Sequence, residues 1–192
     1  DFQGRTWVVG ENETKIVNGI VTVRLVNDPG TPPPLPSDQY ACDAQTVFLF
    51  HFDEATGLPV NACPPNNSAA INSAIQTSGK WGNGLHYNND PTQITNLGNY
   101  NSCALTVDFW YRRLDTGGVH ILARQENKWA LSTDGNRVNL EVWGKYGSVL
   151  AYGWKEIFDN DWHYFMFTYN CTAADPLSKF YVDNELVGEI RT

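Results

Sequence analysis

Methionine is nearly absent from this chain of 192 residues, which has one Met against seven Trp, nine Tyr and nine Phe. That balance favours β-rich structure over helical bundles. No stretch of 18 apolar residues occurs, so no helix is expected to span a bilayer. Clustered cations are missing too: 13 Lys and Arg stand against 21 Asp and Glu, a net charge of −8 with no basic run. Phosphate contacts need such clusters, so nucleic acid is not an expected partner, and attraction to an anionic membrane is not expected either. There is no G-x-S-x-G, no H-E-x-x-H and no P-loop. Cys42, Cys63, Cys103 and Cys171 contain no CxxC pair, which disfavours zinc. All four flank expected strands. Two disulfides, for example Cys42 with Cys63 and Cys103 with Cys171, compete with free thiols. Four cysteines allow three pairings, and the sequence does not choose among them.

What is present is punctuation: 16 Gly and 10 Pro, the mark of many turns. The clearest boundary is NDPGTPPPLPSDQ, residues 27 to 39, whose prolines favour a stiff spacer of roughly 3 Å per residue. It divides the chain into an N-terminal arm (1–28), a Pro-rich linker (29–39) and a main domain (40–192). In the arm, Asn18-Gly19 between two β-branched runs signals a β-hairpin. So short an arm cannot bury a core of its own. It must dock on the main domain, on other copies of itself or on a larger scaffold, and the spacer favours the last two. The opening DFQGRTWVVG has neither Met nor an apolar leader, so the chain is expected to be a processed product or a piece of something longer. Sequons stand at Asn12, Asn66 and Asn170.

The main domain offers strand patterns throughout. TVFLFHFDE (46–54) sets Phe48, Phe50 and Phe52 against Leu49, His51 and Asp53. SAAINSAIQT (68–77) is the one segment expected to form a short helix. GNGLHY (82–87), TQITNL (92–97), TVDFWYRRL (106–114), VHILARQ (119–125), KWALSTD (128–134), RVNLEVWG (137–144), SVLAYG (148–153) and DWHYFMFTYN (161–170) follow as strands. Asp134-Gly135 and Asp183-Asn184 mark tight turns. Short strands with turn signals about every ten residues predict an all-β, two-sheet antiparallel sandwich.

Six segments in order, FLFHFDEATG (48–57), GKWGNGLHY (79–87), TVDFWYRR (106–113), WALSTDGNRVNLEVWG (129–144), DNDWHYFMFTYN (159–170) and KFYVDNELVG (179–188), carry a resemblance. The main domain resembles the laminin-G-like branch of the concanavalin A-like jelly rolls. The resemblance implies a jelly-roll sandwich with one concave sheet, and a setting in secreted adhesins or in phage tail and virion surface proteins. It also implies that Trp81 and Trp162 are core residues. The chain departs from the family in stopping at Thr192, soon after ELVGEI, where a closing strand is usual. That strand is expected to be lost, absent or supplied by the arm. Some relatives bind calcium; Asp53, Glu54, Asp108, Asp134, Asp159 and Asp161 are the candidate carboxylates here, without a ligand run of calcium spacing.

A sugar offers apolar C–H faces ringed by hydroxyls, so its binder needs aromatic plates with polar groups at the rim. Trp110 and Trp143 each oppose the aliphatic side of their strands, and each follows a carboxylate, Asp108 or Glu141, by two residues. With Arg112 they form the candidate carbohydrate site, expected on one concave face. Burial of these Trp residues under a covering loop is the competing reading. Trp154 and Tyr146, placed in loops, are the next candidates. Were their strands adjacent, Asp108 and Glu141 could approach as a glycosidase pair, which needs about 5–5.5 Å for a retaining reaction. Solvated carboxylates explain them more simply. The four histidines are scattered, and His163, sharing parity with Phe165 and Phe167, reads as a satisfied, partly buried side chain. The expected function is therefore non-enzymatic binding of a surface glycan from an extracellular or virion-surface module. A purely structural virion protein and a jelly-roll glycoside hydrolase are the alternatives.

Overall fold

Alternation of apolar and polar side chains becomes strand after strand. The computed structural model describes residues 7–11, 15–24, 41–43, 46–54, 58–63, 69–71, 75–87, 92–94, 104–114, 118–125, 128–144, 147–170 and 177–191. Among these residues there is no helix. The strands are β1 (Trp7–Glu11), β2 (Lys15–Arg24), β3 (Thr46–Phe50), β4 (Ala69–Ile71), β5 (Ile75–Ser78), β6 (Asn83–Tyr87), β7 (Thr92–Ile94) and β8 (Ala104–Arg113). They continue as β9 (Val119–Gln125), β10 (Trp129–Asp134), β11 (Arg137–Gly144), β12 (Gly147–Trp154), β13 (His163–Asn170), β14 (Leu177–Val182) and β15 (Glu185–Arg191). The expected short helix is thus two strands, β4 and β5. Its Ala and Ile residues fit either state, and pairing with β7 and β6 decides for strand.

Two antiparallel sheets result. Sheet A runs β12-β11-β10-β9-β1-β7-β4; sheet B runs β15-β14-β13-β8-β2-β6-β5, with β3 also on β2. Their inner faces share one core. Sheet B contributes Phe48, Phe50, Leu85, Tyr87, Val107, Phe109, Tyr111, Phe165, Phe167 and Phe180; sheet A contributes Leu122, Trp129, Leu131, Val138, Leu140 and Val142. Trp129 bridges the layers, its ring 4.7 Å from that of Phe167. Phe109 and Phe165, cross-strand partners, stack at 5.7 Å, a pairing worth about 0.5–1.5 kcal/mol beyond its area.

The two arginines that close TVDFWYRRL part company by parity. Arg112 lies on the outer side, while Arg113 follows Tyr111 inward and is fully buried. Its guanidinium donates to Thr133 Oγ1 (3.3 Å), Gly135 O (3.2 Å) and Gly118 O (3.1 Å), and lies 4.2 Å over the Phe158 ring. One side chain of β8 therefore bolts sheet B to the β10–β11 end of sheet A.

The N-terminal strands correct an expectation. Asn18-Gly19 does not turn; it lies within β2, and a register shift in the pairing with β8 between Asn18 and Thr22 absorbs the irregularity. β1 pairs with β9 on one side and β7 on the other. β2 pairs with β8 on one side and with β6 and β3 on the other. A segment too short for its own core has been taken into the sandwich, one strand to each sheet, with a neighbouring strand on either side of each. The linker 29–39 lies outside the described residues.

Three local devices complete the frame. Cys42 and Cys63 form a disulfide; Cys103 and Cys171 lie outside the described residues. Asp183 and Asn184, with φ of 52° and 65°, make the two-residue β14–β15 turn. Where the sheets meet side by side, β12 passes so close to β15 that a Cβ on Gly153 would collide with the carbonyl oxygen of Val187. Only glycine fits there.

Candidate functional site

The candidate site residues divide between two surfaces. Asp108, Trp110 and Arg112 lie on β8, on the outer face of sheet B. Glu141 and Trp143 on β11, and Trp154 on β12, lie on the outer face of sheet A. Period-two parity places every one of them away from the core, but the single concave face expected for Trp110 and Trp143 is not formed, because β8 and β11 belong to different layers. For the same reason Asp108 and Glu141 do not converge on one substrate. Tyr146 lies outside the described residues.

The outer face of sheet A is exposed along β12. On β12, Ala151 and Gly153 point to the interior and the seam, which sends Leu150, Tyr152 and Trp154 outward. Unbroken register with β11 sets the rows: Glu141 opposite Leu150, Asn139 opposite Tyr152, Arg137 opposite Trp154 and Trp143 opposite Ser148. β10 extends them with Ala130, Ser132 and Asp134. Trp154 is 71% exposed and Tyr152 59%. Trp143 is half-buried. Arg137 donates to Asp134 Oδ2 at 2.7 Å and lies 5.7 Å from the Tyr152 ring centre, so one cation ties the polar row to the aromatic one. Asn139 is buried between them, its Oδ1 without a hydrogen-bond partner among the described residues. Two exposed rings thus stand beside a carboxylate, an amide and a guanidinium. Trp154 is a strand residue, not a loop residue. Tyr152, Asn139 and Arg137 were not singled out from the sequence, although the alternation in SVLAYGW carries Tyr152 together with Trp154.

The outer face of sheet B is covered. Trp110 is only 6% exposed. The Trp81 ring meets it edge-on at 5.6 Å, Tyr164 lies at 5.4 Å, and the Lys80 ammonium sits 4.3 Å over it. Tyr164, Met166 and Tyr181 complete this second apolar cluster, with Trp81 and Trp162 packed at its margin. Trp81 and Trp162 are therefore half-buried cover on an outer face, not members of the central core. Arg112 lies over Trp162 at 4.9 Å. Beyond Trp81 the cover continues as Leu49 and Cys63. Asn61 holds that segment down: its Oδ1 accepts from Leu49 N (2.8 Å) and Cys63 N (3.0 Å). The competing reading of Trp110, burial under a loop, is the one realised.

At the start of β13, on the inner-face parity of Tyr111 and Phe165, His163 is buried between two carboxylates. Nδ1 lies 2.8 Å from Asp183 Oδ2 and Nε2 lies 2.9 Å from Asp159 Oδ1. Burial disfavours the imidazolium, but the two carboxylate hydrogen bonds outweigh it and hold the His163 pKa above its ordinary value. The bond from His163 holds Asp159 below the ordinary carboxylate value. Burial pushes Asp183 up, yet its bonds from His163 and the Tyr164 amide bring it down overall. His163 is thus a satisfied side chain, as its parity implied. Among the described residues no three His, Cys, Asp or Glu side chains group as a metal site, and the candidate calcium carboxylates do not gather. No family model matches the chain. No curated protein and no solved structure matches it either.

Proposed function

We propose that this chain is a non-enzymatic carbohydrate-binding module of an extracellular or virion surface, its sandwich a laminin-G-like jelly roll, and that its glycan lies on the outer face of sheet A. The observation that carries this reading is the exposure of Trp154 and Tyr152 side by side next to Glu141, Asn139 and Arg137. Large rings left in water cost hydration free energy that a stacked pyranose face would recover, and the polar row would meet its hydroxyls. Trp143, half-buried two residues beyond Glu141, would close one end. A single such site binds weakly, and several copies raise avidity. The test is a glycan array probed with a multimerised chain. Trp154→Ala and Tyr152→Ala are expected to lose the signal, and Trp110→Leu to keep it; absence of binding by any multimer refutes the reading.

A structural role in a virion or fibre is the second reading, favoured by β12 itself. This edge strand, GSVLAYGW, is eight residues long, carries no charge and no proline, and pairs with β11 without a bulge. The other end strands are short (β4, β5) or bear Glu185, Glu189 and Arg191 (β15). The exposed first half of β12, residues 147–150, ahead of the contact with β15, is a template for another strand. Concentration-dependent association in the absence of any glycan, lost in Ala151→Pro, would support this reading over the first.

A further inference from the structure

Residues 159–162 connect the core-anchored Ile157 to β13. Upstream the chain is well held: Ile157 is buried, its amide donates to Asn136 Oδ1 (3.0 Å), and Phe158 lies under Arg113. Downstream, Asn160 takes a φ of 64°, Asp161 N donates to Asp159 Oδ1 (2.9 Å), and Trp162 packs on the sheet B cluster. The tie from this segment to the β14–β15 turn passes through one imidazole.

We propose that His163 is a pH-released pin, whose doubly protonated ring holds segment 159–162, and Trp162 with it, against the outer face of sheet B. A ring that donates to Asp183 from Nδ1 and to Asp159 from Nε2 must carry both protons. Losing one leaves a nitrogen lone pair facing a carboxylate. The lost bond is the one to Asp159. Each carboxylate accepts one backbone amide at 2.9 Å, Asp183 from Tyr164 on β13 and Asp159 from Asp161 within the segment itself, so only Asp183 is tied by it to the sheet, and its side chain is 28% exposed against 40% for Asp159. The remaining proton therefore stays on Nδ1, and Asp159 swings into water. The other charges around the ring are those of Asp161 on the segment, Lys155 paired with Glu185 beside Asp183, and Arg112 and Arg113 flanking Tyr111, the partner of His163 on β8. None of them replaces the lost contact. Release uncovers Trp162 and the Arg112 guanidinium stacked on it. At mildly basic pH an aromatic, cationic strip of sheet B would open that is sealed at acidic pH.

The experiment is amide hydrogen exchange of residues 159–162, corrected for intrinsic rates, between roughly pH 5 and pH 9, the range in which a histidine titrates. In the unaltered chain, protection of this segment is expected to fall about tenfold or more across the titration, with β8 and β11 unchanged. His163→Gln is expected to show low protection throughout. Asp159→Asn, a change at an exposed position that leaves the core intact, is expected to flatten the pH response. Protection that does not vary with pH in the unaltered chain, or a pH response retained in Asp159→Asn, overturns the proposal.

Discussion

The two outer faces of this sandwich are built from the same alternation and end differently. Both β8 and β11 send a tryptophan outward two residues after a carboxylate. On sheet B the Trp110 ring is sealed by Trp81, Tyr164 and Lys80, and the Cys42–Cys63 staple and Asn61 fix the neighbouring cover. On sheet A no described segment lies over Tyr152 and Trp154. An outward aromatic is therefore not a site by itself; what covers the strand decides whether it stabilises the fold or waits for a partner.

If that contrast is right, substitutions on the two faces separate stability from binding. Trp110→Ala is expected to cost about 3–5 kcal/mol in denaturant unfolding. A loss below about 1 kcal/mol would place Trp110 in water after all. Removing the staple by Cys42→Ser with Cys63→Ser is expected to cost about 3 kcal/mol in the same assay, loosening the cover of sheet B while Trp154 fluorescence stays unchanged. Gly153→Ala, at the seam between the faces, is expected to cost about 1–3 kcal/mol through forced separation of β12 from β15. A pH series sharpens the contrast further. The folded pKa of His163 is raised, so its contribution is complete below the ordinary value of 6.5 and is lost as pH rises through the raised one. Those of Asp159 and Asp183 are lowered, so their contributions are complete above 3.8 and are lost as pH falls through the lowered values. Thermal unfolding is expected to show a cluster-dependent plateau between these limits, and a clearly flatter profile in His163→Gln. Trp154→Ala is the smallest change, within about 0.5 kcal/mol of the unaltered chain, although glycan binding is expected to vanish.

Much of this was legible in the residues. Alternation and turn signals located β8 to β15, and Asp183-Asn184 and Asp134-Gly135 marked hairpins that the structure contains. Parity correctly sent Trp110, Trp143, Asp108 and Glu141 away from the core. Which layer each strand joins is a long-range fact, and there local reading stops. For that reason local reading puts Trp110 and Trp143 on one face, and makes a turn of Asn18-Gly19, which the ladders before and after it carry as part of β2. Arg113 illustrates the other limit: its charge argues for the surface, and only the acceptors of Thr133, Gly135 and Gly118, supplied by another sheet, make its burial affordable.

The placement of β1 and β2 carries a consequence for how the molecule is made. Lys15 pairs with Tyr87 on one side and Arg113 on the other, and Trp7 with Ile94 and Gln125, so the ladders that flank β1, and the one that joins β2 to β8, close only after much of the sandwich has been made. Such distant pairings are slow to form and leave β-prone segments waiting in solution. Biogenesis of this protein is therefore expected to depend on a chaperone or on high dilution, and a version beginning after the proline spacer would be left with a gap in the middle of each layer.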